Sequence, residues 1–150
     1  MGKISPEKLL ELVFPYQGKN RSEVIYNASL GRDCGIIDCN EDFIALTCDP
    51  ITGTSTHIGS FAVHVVANDL ICAGAEPVGL LISIIMPPGS NENQIQSIMK
   101  DVDLISKKLG IAVLGGHTEI SEVVNRTLIH CFGVGRVKRN QIPDVERVQP

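Results

Sequence analysis

Tryptophan is absent from the chain, and phenylalanine and tyrosine together supply only 4% of its 150 residues. The core must therefore be built from aliphatic side chains. Excess positive charge is also missing: 13 Lys and Arg stand against 17 Asp and Glu, for a net charge of -4. Basic clusters such as Arg136-Val137-Lys138-Arg139 are short. Nucleic acid is excluded as a partner, because phosphate contacts need a broad basic surface. No apolar run reaches membrane-spanning length, and the start Met1-Gly2-Lys3-Ile4-Ser5-Pro6 leads into a charged amphipathic segment rather than a signal sequence. Pro6 and its neighbours also spoil a myristoylation motif after Gly2. We expect a cytoplasmic protein without a membrane partner. The five cysteines form no CxxC pair and no zinc spacing, and their number is odd. They read as reduced, buried thiols.

What is present suits one globular domain: 43% hydrophobic and 20% charged residues in a chain long enough for a single core. Ser5 caps a short helix that Pro6 opens, and Leu9, Leu10, Leu12 and Val13 give it a docking stripe. The polar stretch from Tyr16 to Leu30 has no clear period and reads as a mobile segment that either closes over a ligand or connects. Cys34 to Cys39 and Phe43 to Asp49 are strand-like runs around the turn-forming Asn40-Glu41-Asp42, hence a hairpin. Ile58 to Gly74 reads as a helix, apolar nearly all round and therefore buried. Val78 to Met86 reads as a central strand covered on both faces. Ser90 or Asn91 opens a helix whose stripe is Ile95, Ile98, Val102, Ile105 and Leu109, and Gly110 ends it. Ile111 to Leu114 and Thr127 to Arg136 complete the strands.

This order predicts an α+β fold with helices on one face of a mixed, largely antiparallel four-stranded sheet. The second face then needs cover, and a partner subunit is the economical one. Residues 1–137 would form the domain and 138–150 a polar tail or linker.

Three acids interrupt this apolar pattern. Asp33, Asp49 and Asp69 each lie within or at the end of an apolar run. The hairpin would bring Asp33 beside Asp49. An ionised Asp69 inside an apolar helix needs a partner, either a cap or hydrogen bond near Asn68 or a ligand site. Clustered carboxylates repel one another, and a hard divalent cation relieves them. Gly115-Gly116, followed by His117-Thr118-Glu119, is either a tight turn or a loop whose amides approach a phosphate. Lys19, Arg21 or Arg32 could supplement the positive charge there. There is no Walker motif and no GxGxxG after the first strand. His64 and His130 sit in apolar runs and read as structural, and Cys48 beside Asp49 reads as a packed thiol.

Gly31-Arg32-Asp33-Cys34-Gly35, Thr47-Cys48-Asp49-Pro50-Ile51, Asn68-Asp69-Leu70 with Ala73-Gly74-Ala75-Glu76-Pro77, and Leu114-Gly115-Gly116-His117-Thr118-Glu119 follow one another in an order that resembles the aminoimidazole ribonucleotide (AIR) synthetase superfamily. The resemblance runs from about Leu30 to Arg136 and covers its N-terminal domain. It is greatest to the hydrogenase-maturation (carbamoyl dehydratase) branch, with thiamine-monophosphate kinase and selenophosphate synthetase as more distant cousins. It implies an enzyme dependent on ATP and Mg2+ that activates an amide or carbonyl oxygen, or a similar acceptor, by phosphoryl transfer. It also implies a homodimer formed through the sheet face and a missing C-terminal domain, so that this chain alone is inactive. The acceptor would be a small molecule or a protein thiocarboxamide-like group. Position by position, Asp33, Asp49 and Asp69 would hold magnesium, Asn68 would be a polar neighbour, and Gly115, Gly116, His117 and Thr118 would lie on the phosphate side. His117 stands where many relatives carry an acid, and Glu119 could replace that ligand. A nucleotide-binding scaffold without catalysis and a kinase of the thiamine-monophosphate kinase type are the alternatives.

Overall fold

A computed structural model of the chain describes residues 2–54 and 56–142. The elements run α1 (Pro6–Leu12), β1 (Val24–Tyr26), β2 (Gly35–Cys39), β3 (Asp42–Ile51), α2 (Ile58–Cys72), β4 (Glu76–Met86), α3 (Glu92–Leu109), β5 (Ala112–Ile120) and β6 (Leu128–Val137). The strands form one mixed sheet in the order β1-β2-β3-β6-β4-β5. Only β4 and β5 pair in parallel, joined by the α3 crossover; the other pairings are antiparallel. The α+β class holds, with six strands instead of four. β1 lies in the stretch read as a mobile segment, where three residues between polar flanks give no alternation.

Local chemistry sets the helix ends. Ser5 accepts from the Lys8 amide and Pro6 occupies the first helical turn of α1. Asn91 and Gln94 form a reciprocal capping box at the start of α3, and Gly110, with φ of 70°, ends it. The stripe of α1 does not dock: Leu10, Leu12 and Val13 are exposed.

The main core lies between α2, α3 and one sheet face. Ile58, Val63, Val66, Leu80, Ile84, Met86, Val102 and Ile129 are buried there. A second cluster, with Ile36, Phe43, Ala45, Leu70 and Val137, fills the end nearer β2. α2 was expected to be buried all round, but Phe61, His64, Asn68, Ile71 and Cys72 form an exposed side. β4 was expected to be covered on both faces, yet Leu81 is exposed while its neighbours Leu80 and Ile82 are buried. The face opposite the helices carries Leu46, Leu81 and Phe132, all more than a third exposed.

Two further expectations change. Only Cys34 and Cys131 are buried, whereas Cys39, Cys48 and Cys72 are exposed, so Cys48 is not a packed thiol. His64 is exposed, and His130 is partly buried with its ring 4.5 Å from that of Phe132. The expected tail is described only as far as Ile142; 143–150 lie outside the described residues. No helix among the described residues is long and apolar enough to cross a membrane.

Candidate functional site

The hairpin and α2 bring the three aspartates to one end of the fold. β2 and β3 pair in the register Gly35↔Leu46, which sets Asp33 beyond the start of β2 and close to the later part of β3. Asp33 accordingly lines a cavity of about 340 Å3 with Thr47 and Cys48. On β3, the side chains of Thr47 and Asp49 fall on the helix-covered face, where α2 presents Asp69. Thr47 is buried, and its hydroxyl donates to Asp69 Oδ2 at 2.8 Å. The Cys34 thiol donates to the Asp69 carbonyl at 3.4 Å. Asp33 and Asp69 both line a smaller cavity of about 130 Å3, with Tyr26, Arg32, Cys34 and Cys72.

The electrostatics record this crowding. Burial first, and then the hydrogen-bonded Asp49 carboxyl, push the Asp69 pKa up to about 6, against a smaller opposing effect of the Thr47 hydroxyl. Burial, followed by the charges of Asp69 and Asp33, pushes the Cys34 thiol up to about 12. Two neighbouring carboxyls, one of which raises the proton affinity of the other, form an oxygen donor set for a hard cation. Among the described residues, no three His, Cys, Asp or Glu side chains are grouped so as to hold a metal ion by themselves.

The Gly115–Glu119 segment lies elsewhere. It is not a turn but the middle of β5, the edge strand, and every residue of β5 is exposed. The rungs Asp49↔Cys131, Cys131↔Ile82 and Ile82↔Gly116 place Asp49 three strands from Gly116, about 14 Å at the usual interstrand spacing. His117 and Glu119 pair with each other at 3.1 Å. His117 is in register with Ser83, on the sheet face opposite the helices. Asn68, although adjacent to Asp69, is exposed.

Residues 31–137 match the family described as AIR synthase related protein, N-terminal domain. The chain belongs to this family. It is 30% identical over 149 residues to a protein named for hydrogenase expression and formation in Methanocaldococcus jannaschii, covering 93% of this chain and 43% of that relative. Its fold is similar to the crystal structure of the hydrogenase maturation protein HypE in complex with ATP, with a TM-score of 0.66 at 19% identity, covering 99% of this chain and 45% of that one. It is also similar to ThiL complexed with AMPPCP and TMP, with a TM-score of 0.66 at 21% identity, covering 75% and 38% of the two chains. The chain thus spans less than half the length of these proteins.

In this AIR synthase-related domain, sequence reasoning did not assign Thr47 to the site. Its signal was its position two residues before Asp49 on a strand, which puts both side chains on one face. Tyr26 was missed with β1 itself. Of the three candidate cations, Arg21 is paired with Glu23. Lys19 lines a separate polar cavity with Gln17, Asn20, Arg21, Val24 and Asn27. Only Arg32 borders the carboxylates.

Proposed function

We propose that this domain is the ATP- and magnesium-binding half of a phosphoryl-transferring enzyme, of the kind that activates an amide or carbonyl oxygen in hydrogenase maturation. The observation that carries the reading is the approach of Asp49 to Asp69 from separate segments, with the Thr47 hydroxyl bonded to Asp69 and Asp33 lining a cavity with it. A lone structural carboxylate needs one partner; here a buried hydroxyl and a second carboxyl meet at Asp69 while Asp33 shares its cavity. Asp49 and Asp69 would hold the magnesium, with Asp33 beside them and phosphate oxygens completing its shell. The cation supplies charge neutralisation between these carboxylates and a triphosphate. The ATP in one similar structure and the AMPPCP in another support a nucleotide as the ligand.

Within one protomer, Gly115, Gly116, His117, Thr118 and Glu119 stand too far from Asp49 to share its ligand. Their phosphate-side role, including that of Glu119 as an additional metal ligand, therefore requires a second protomer to carry β5 to the aspartates. The uncovered apolar sheet face supports such a homodimer. Residues 1–137 act as the nucleotide-binding unit, and Asn68 as a polar neighbour at its rim. Transfer to an acceptor, a small molecule or a protein thiocarboxamide-like group, belongs to a larger assembly of the length that the relatives have.

Calorimetric titration of the chain with ATP, with and without magnesium, alongside light scattering, tests the reading. Magnesium-dependent binding to a dimer is expected. Binding that ignores magnesium, or no binding by a well-folded dimer, overturns it.

A further inference from the structure

Arg32 is a cation placed beside carboxylates that do not neutralise it. Among the described residues it makes no ion pair, although Asp33 is its neighbour in sequence. Its guanidinium carbon instead lies 3.9 Å from the centroid of the Tyr26 ring. Two local features hold it there. Ser29 to Arg32 form a tight turn in which Gly31 adopts φ of 76° and the Arg32 amide donates to the Ser29 carbonyl at 3.4 Å. Tyr26 is fixed in turn by the pairing of β1 with β2 opposite Ile36.

A guanidinium stacked on a ring has its face occupied and its in-plane N–H donors free, the edge that matches phosphate oxygens two at a time. Arg32 also borders both cavities that flank Asp33: the one leading to Asp69 and Cys72, and the one leading to Thr47 and Cys48. An anion entering either cavity meets Arg32 as well as the carboxylates. A bare anion would be repelled by those carboxylates, whereas one that arrives with a divalent cation is held by both.

We propose that Arg32, oriented by Tyr26, is a phosphate-binding residue of this site, its guanidinium taking phosphoryl oxygens of the magnesium-bound nucleotide. The inference rests on the nucleotide reading above and adds to it the residue that recognises the phosphate charge. Tyr26 acts through Arg32 as a positioning residue.

The test titrates parent chain, Arg32→Ala, Arg32→Lys and Tyr26→Leu with ATP and with pyrophosphate, each in excess magnesium, and records thermal midpoints in parallel. Arg32→Ala is expected to bind both ligands about tenfold more weakly, the fold-change of one charge-assisted hydrogen bond. Arg32→Lys should recover part of the loss, since it keeps the charge but not the fork. Tyr26→Leu should weaken both ligands less than Arg32→Ala does. Parental affinity in a folded Arg32→Ala, or equal weakening in Arg32→Ala and Arg32→Lys, overturns the proposal. If the parent binds magnesium pyrophosphate through Arg32 but not ATP, the phosphate subsite stands and the nucleotide reading falls. If the parent binds neither, both fall.

Discussion

At Asp69 two demands on one carboxyl conflict. The Thr47 hydroxyl favours the ionised form, and burial together with Asp49 opposes it. The balance raises the folded pKa from 3.8 to about 6, so the folded chain holds this proton more tightly than the unfolded chain does. The contribution of this group to stability is therefore complete below about pH 4 and is lost as pH rises through about 6. Asp69→Asn keeps the acceptor for Thr47 and removes the titration. Without metal, the urea midpoint of the parent should fall relative to that of Asp69→Asn across this window. Magnesium should restore it at about pH 8 and have little effect near pH 5, where the carboxyl is protonated. The same variant should bind magnesium ATP about tenfold more weakly while folding normally, because one ligand charge is gone. Parallel pH profiles in parent and variant, or equal ATP affinities, would show that Asp69 is only a hydrogen-bond acceptor. That Asp69 needs a partner was legible from its apolar surroundings. Which partner it has was not, because Thr47 reaches it only after a hairpin and a helix pack together.

Between elements, the decisive feature is how closely backbones approach. A Cβ added to Gly59, in the first turn of α2, would lie 2.4 Å from the Ile98 carbonyl oxygen in α3. Helix propensity favours alanine over glycine by about 1 kcal/mol. Overpacking against a fixed backbone costs about 1–3 kcal/mol, and here it should win. Gly59→Ala is thus expected to lower the unfolding free energy by up to about 2 kcal/mol, measured in urea. Gly53→Ala, where an added Cβ meets nothing within 4 Å, serves as the control and should change little. A stabilised Gly59→Ala would mean that α3 yields easily and the helix contact is loose. The helices themselves were readable in the sequence, since Asn91, Gln94 and Gly110 are caps whose chemistry is local. β5 was not. Gly115-Gly116 suggests a turn, but Gly116 is there because a Cβ would fall 1.8 Å from the Ile82 carbonyl oxygen of the adjoining strand. That demand comes from a neighbour far away in the chain, and no local pattern reports it.

For the whole molecule, the unequal treatment of the two sheet faces matters most. One face lies under α2 and α3, while the other exposes Leu46 at 40%, Leu81 at 42% and Phe132 at 38%. The sequence predicted an uncovered face because it holds too few helices to cover both sides. It gave no sign of the register that sets Leu81 opposite Phe132 on adjacent strands. Covering the remaining exposed part of one such side chain contributes only about 1 kcal/mol, but an unpaired arginine charge buried at the centre of the patch costs more than that, so it should split a dimer that uses the patch. Leu81→Arg is expected to scatter light as a monomer and to keep its circular dichroism, since Leu81 lies outside the helix-facing core. Arginine at Val123, 81% exposed in the β5–β6 connection, should leave the dimer intact. The proposed role of β5 adds a further consequence. If His117 and Glu119 of one protomer reach the aspartates of the other, monomeric Leu81→Arg must also bind magnesium ATP more weakly, although the substitution touches none of Asp33, Asp49 and Asp69. A monomer with parental ATP affinity would confine the nucleotide site to one protomer and leave β5 without a part in it.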